Sequence, residues 1–95
     1  YSAFLENDQQ TTTGLAAYLQ ARGVTAVVLC GLAFDYCVAY SALDAIAAGF
    51  QCTVVTDACR SIDLDGSAAS ATAQMIERGV SLTTSGQIIE QLSKT

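Results

Sequence analysis

The run from Ala26 to Cys30 is apolar at every position, breaks at Gly31 and gives way to a stripe at helical spacing that begins at Cys37. An apolar run without alternation reads as a strand covered on both faces, the pattern of a parallel sheet. Apolar residues at 38, 42, 43 and 46 then mark one face of a helix over residues 37–48, with Gly49 as its stop. A second run rich in Val and Thr, Cys52 to Thr56, follows at once. Two such strands joined by a helix must lie parallel and be linked by a right-handed crossover.

The alternation continues on both sides. Thr11 to Thr13 offer an N-cap and Leu15, Ala16, Tyr18 and Leu19 a stripe, which predicts a helix over residues 12–22 that stops at Arg22–Gly23. After Asp57, the stretch Ala58 to Gly66 reads as a surface loop, and Asp63 or Asp65 can cap the next helix. That helix runs to Arg78 and stops at Gly79, with Ala68, Ala71, Thr72, Met75 and Ile76 facing inward. Val80 to Thr83 reads as a short last strand. Thr84 with Gln87 forms a capping box for a terminal helix carrying Ile88, Ile89 and Leu92. The order α-β-α-β-α-β-α predicts an α/β protein, a parallel sheet between helical layers in the three-layer, Rossmann-like manner. There is no internal repeat and no linker.

Composition enters where burial is in question. The chain has 95 residues, 52% of them hydrophobic and 14% charged. A domain of this length hides roughly two-thirds of its unfolded surface, so apolar surface is left over. The chain opens at Tyr1 and reaches an interior-looking segment (Ala3, Phe4, Leu5) within a few residues. We therefore expect residues 1–95 to be part of a larger single domain. A net charge of −5 opposes a grip on phosphate backbones, and Arg22, Arg60, Arg78 and Lys94 are scattered, so no nucleic-acid partner is expected. No apolar run reaches the ~18 residues of a membrane span, so the expectation is no membrane partner and a cytoplasmic protein.

Cys30, Cys37, Cys52 and Cys59 make an even count. Structural zinc sites space paired thiolates two to four residues apart. Here the close pairs are wider, and no His exists to help. Four reduced thiols in a reducing compartment are expected. Cys37 differs from the others because it lies near a helix start, where unpartnered N–H groups and the positive end of the helix dipole favour a thiolate. It is a candidate nucleophile; the alternative is an inert Cys packed at a crowded strand–helix junction. In open parallel sheets ligands sit beyond the carboxyl ends of strands. Gly31–Tyr36 and Asp57–Asp63 both lie there, so Cys37, Asp57 and Arg60 could face one crevice.

The segment Gly31-Leu32-Ala33-Phe34-Asp35-Tyr36-Cys37-Val38, then Ala42-Leu43-Asp44-Ala45, Gly49-Phe50 and Val55-Thr56-Asp57-Ala58-Cys59-Arg60, resembles the C-terminal half of the nicotinamidase/pyrazinamidase group. That group belongs to the isochorismatase-like cysteine hydrolases. Tyr1-Ser2-Ala3-Phe4 and Ile62-Asp63-Leu64-Asp65-Gly66-Ser67 extend the likeness over nearly the whole chain.

The resemblance implies an isochorismatase-like fold of which this chain is the C-terminal part, and Cys37 as the nucleophile that attacks a carboxamide and passes through a thioester. It also implies a cis peptide at Leu32–Ala33, turning the Ala33 N–H to converge with the Cys37 N–H on the developing oxyanion. Leu32, Phe34 and Tyr36 are then candidates for lining the substrate pocket, although aromatic residues in a tight loop often simply pack. Asp35 reads as an N-cap, which would accept from N–H groups two or three residues on. A general base would have to reach the thiol, which a residue two positions upstream seldom does. Asp57 reads as a stabiliser of its strand end, and Arg60 as the partner of a carboxylate.

The group's catalytic Asp and Lys, and the Asp and His residues that bind a divalent metal, usually zinc, all come from the N-terminal half. Lys94 matches no catalytic position. These residues alone are therefore expected to be inactive, their partner being the missing N-terminal segment. The group commonly forms oligomers, so a homo-oligomer is expected. Another amide or isochorismate as substrate, and a catalytically inactive interaction module, are the alternatives.

Overall fold

A computed structural model describes residues 1–93, and their side chains as far as residue 90. Its elements are α1 (Leu15–Ala21), β1 (Ala26–Leu32), a π-helical turn (Phe34–Val38) running into α2 (Ala39–Ala47), β2 (Gln51–Arg60), α3 (Ser67–Glu77), β3 (Ser81–Thr83) and α4 (Ser85–Ser93). The predicted order stands. The strands form one parallel sheet in the order β1-β2-β3, flanked by the helices. Leu92, expected in the terminal helix, and Lys94 lie outside the described side chains.

The helices stop where glycine allows it. At the end of α2, Gly49 has φ of 95°, its N–H donates to the Ile46 carbonyl, and the Phe50 N–H reaches back to Ala45. This closure turns the next apolar residue, Phe50, into the core, where its ring meets Phe4 at 5.9 Å. Met75 and Val54 are the largest fully buried side chains. Ala42 and Ala45 are also fully buried on α2. Small side chains there let a helix lie close to its neighbours.

Four expectations need correction. First, β1 is not covered on both faces: Val27, Leu29 and Gly31 are half-buried, whereas Val28 and Leu32 are 54% and 73% exposed. It is an edge strand of this sheet. Second, β2 does not end at Thr56. The register moves from Leu29↔Val54 to Gly31↔Cys59, two residues on β1 against five on β2, so β2 bulges and then rejoins the ladder as far as Arg60. Third, α1 begins at Leu15 behind Gly14, because the Thr13 N–H pairs with the Phe4 carbonyl in the N-terminal loop. Fourth, Ile76 is exposed rather than inward; Ala71 and Met75 carry the buried stripe of α3.

The N-terminal loop is knit to the rest. The Thr13 hydroxyl donates to the Ala3 carbonyl at 2.6 Å and the Ala3 N–H donates to Ser41 Oγ on α2 at 3.0 Å. This places Tyr1 and Ser2 beside the start of α2.

Candidate active site

Cys37 sits in the π-helical turn beyond the carboxyl end of β1, not in the first turn of an α-helix starting at residue 37. The helical stretch begins earlier than expected, at Phe34. The Ala33 carbonyl accepts from the N–H groups of Tyr36 (3.1 Å) and Val38 (3.0 Å), the residues on either side of Cys37. Such a widened turn is rare in helices and frequent at functional sites. The Leu32–Ala33 peptide is cis.

Cys37 is half-buried and lines a cleft of about 340 Å³ with Tyr1, Ser2, Cys30, Leu32 and Ser41 among its neighbours. Among the described residues, no Lys, Arg or His side chain is in that lining. Sequence reasoning had not placed Tyr1, Ser2, Cys30 or Ser41 there. For Ser41 a signal existed, since it stands four residues after Cys37 and so on the same helical face. For the others, which the chain brings from the N-terminal loop and the adjacent strand, no local signal existed.

The remaining candidates separate. Leu32 is in the cleft; Phe34 is 8% exposed, belongs to the hydrophobic core and borders a different cavity with Thr56 and Cys59. Tyr36 is half-buried, with its ring 6.0 Å from that of Tyr1, which also stacks on Tyr40 at 5.7 Å. Asp57 and Arg60 are outside the cleft lining, so the expected common crevice does not form there. The bulge in β2 turns Asp57 towards α4, where it accepts from the Ser85 N–H (2.8 Å) and hydroxyl (2.7 Å). Those Ser85 hydrogen bonds, the hydroxyl's foremost, hold the Asp57 carboxyl below its ordinary value. Arg60 donates to the main-chain carbonyls of Cys59 (2.7 Å) and Asp57 (3.4 Å), not to a carboxylate.

Asp35 is not the N-cap. It lies inside the turn, 7% exposed, and both its oxygens are engaged elsewhere: Oδ1 by the Ile62 N–H at 3.0 Å, Oδ2 by the Asp63 N–H at 2.6 Å and by the Ser67 hydroxyl. Burial pushes this carboxyl up, but the hydrogen bonds from Ser67, Ile62 and Asp63 outweigh it and hold it below the ordinary range. Asp63 does serve α3, accepting from the Ala68 N–H at 3.2 Å, while Gly66 holds the N-cap position.

Two thiols are set apart by burial, which pushes Cys52 up to about 11 and also raises Cys59, whose Sγ donates to the Val55 carbonyl. Among the described residues, no group of three or more His, Cys, Asp or Glu side chains comes together to hold a metal ion.

A parallel α/β sheet that presents a cysteine on a helical turn beyond a strand's carboxyl end defines a class of protein, an α/β domain with a thiol at the sheet edge where ligands bind. Comparison gives that class its family. Residues 1–87 match the isochorismatase domain, and the chain belongs to the isochorismatase family. It is 46% identical to a nicotinamidase of Acinetobacter baylyi, over 94% of this chain and 42% of that protein. The fold superposes on a nicotinamidase pyrazinamidase from Acinetobacter baumannii with a TM-score of 0.91 and 46% identity, covering 93% of this chain and 42% of the other. An L. infantum protein solved in complex with nicotinate gives 0.84 and 37%, covering 90% and 42%. A pyrazinamidase of Pyrococcus horikoshii solved in complex with zinc gives 0.69 and 35%, covering 75% and 39%. The chain thus spans less than half of each relative.

Proposed function

We propose that the full-length protein carrying this segment hydrolyses nicotinamide to nicotinic acid and ammonia through a thioester on Cys37. The observation that carries the reading is the half-buried Cys37 in an open cleft beyond β1, in a chain 46% identical to a nicotinamidase. Structural relatives solved with nicotinate and with nicotinaldehyde support a pyridine-carbonyl ligand.

In this reading the Cys37 sulfur bonds to the carboxamide carbon as its proton passes to a base, and the carbonyl oxygen takes up negative charge. Ala33 and Cys37 N–H groups receive that oxyanion. The carbon–nitrogen bond then breaks as the nitrogen gains a proton and leaves as ammonia. Water attacks the thioester, releasing nicotinic acid and restoring the thiol. Leu32 borders the ring of the substrate, and Tyr36 packs against Tyr1, which lines the same cleft. Phe34 supports the turn from the core side.

The base and the ammonium group that assist Cys37 come from the rest of the protein, as do the residues that bind a divalent metal, zinc in our reading. The side chains described here do not form a metal site, so no step is derived through the metal. Four unpaired cysteines suit a reducing, cytoplasmic compartment, and among the described residues no helix is long and apolar enough to cross a membrane. Leftover apolar surface suits a homo-oligomer.

The test is ammonia release from nicotinamide by the full-length protein and its Cys37→Ala variant. We expect turnover in the first and a loss of at least about 10³-fold in the second. Turnover that survives the substitution removes Cys37 from the mechanism.

A further inference from the structure

The geometry points to Asp35 as a positioning residue, one that fixes the Cys37-bearing turn by clamping it to the loop between β2 and α3. The inference rests on the proposed amide hydrolysis for its kinetic test. Its structural basis is independent of that reading.

The π-helical turn has no side-chain cap of its own at Ala33. Among the described residues, the side-chain hydrogen bonds that tie the turn to another segment all come from Asp35. Two consecutive N–H groups, those of Ile62 and Asp63, point at its carboxylate, the arrangement of an anion-binding nest. Ser67, the first residue of α3, donates to the same carboxylate and accepts from the Leu64 N–H at 2.9 Å. The loop is shaped for this, with φ of 57° at Asp63 and 52° at Asp65. Asp35 and Cys37 thus border different cavities on the two sides of one turn. A force applied at Asp35 sets where the sulfur and its N–H lie.

A misplacement near 1 Å costs about 10²-fold in rate. In the full-length protein, Asp35→Asn puts an amide N–H where donors converge and breaks the clamp. We expect kcat to fall about 10²-fold with KM nearly unchanged, at temperatures where circular dichroism shows the variant folded. Ser67→Ala removes a single donor and keeps the nest; we expect about a tenfold fall in kcat, so it decides the matter even where Asp35→Asn does not fold. A merely structural clamp would lower the melting temperature and leave kcat of the folded variants within about twofold of wild type, and that result overturns the proposal. Alkylation of Cys37 by iodoacetamide, followed by peptide mass, needs no substrate, and we expect it to slow about tenfold in Asp35→Asn or Ser67→Ala. If wild type releases no ammonia from nicotinamide, the functional reading fails, and the alkylation arm alone supports or overturns the role of Asp35.

Discussion

At the scale of single residues, burial sorts the four thiols into two kinds. Cys52 and Cys59 are buried and raised, while Cys30 is exposed and Cys37 half-buried in one cleft. The thiolate is the reactive form, so brief treatment with iodoacetamide at neutral pH should label Cys37 well before Cys52 and Cys59, as read by peptide mass. The carboxylates carry the acid response. Asp57 is depressed below 3.8 by Ser85, so its contribution to stability is full above the unfolded-state value and disappears as pH falls through the folded one. Asp57→Asn should therefore lower stability at neutral pH and flatten its loss below about pH 4, measured by denaturant unfolding across that range. Little of this was legible in sequence for Asp35. Its partners stand 27, 28 and 32 residues further on, and the adjacent residues suggested only a local cap or, less readily, a base for the nearby thiol. The placement of Cys37 beyond a strand end was legible because its setting, a strand end followed by a helical turn, is local.

Elements were readable in proportion to how local their determinants are. The capping box at Thr84 and Gln87 forms in both directions, Thr84 N–H to Gln87 Oε1 at 3.2 Å and Gln87 N–H to Thr84 Oγ1 at 3.4 Å, and all of it lies within four residues. The bulge in β2 was not readable, since rejoining the ladder at Cys59 and Arg60 depends on Gly31 and Leu32 across the sheet. Helix stops belong with the readable features, and Gly49 isolates their physics. A Cβ built there meets nothing within 4 Å, so the cost of Gly49→Ala is conformational alone. With φ of 95° the loss should be about 1–2 kcal/mol, measured by thermal or chemical unfolding of the full-length protein. Met75 on α3 is the contrasting case. It is fully buried, and Met75→Ala opens a cavity worth about 2–5 kcal/mol in the same measurement.

The whole molecule is a slab with Cα extents of 39 × 39 × 21 Å. Its radius of gyration of 13.2 Å exceeds the value of about 12 Å usual for this length. The excess of apolar residues in the sequence pointed to uncovered surface but not to its place. The structure places part of it on β1, where Val28 and Leu32 are exposed on an edge strand that carries a run with no polar residue. An apolar edge strand left bare invites pairing with other chains, and proteins ordinarily cover or charge it. The chain spans 42% of each of the two Acinetobacter relatives, so the rest of the domain is the proposed cover. The consequence can be measured at one position. If Val28 is buried in the full-length protein, Val28→Glu places a charge in an apolar contact and should cost about 3 kcal/mol or more. If Val28 faces water there as it does here, the same substitution changes stability by no more than about 0.5 kcal/mol, and the proposal that the remaining part of the domain packs on β1 is lost. Hydrogen exchange separates pairing from packing: edge pairing protects those β1 amides that point away from β2, whereas a helix laid across the face buries Val28 and leaves those amides exchanging.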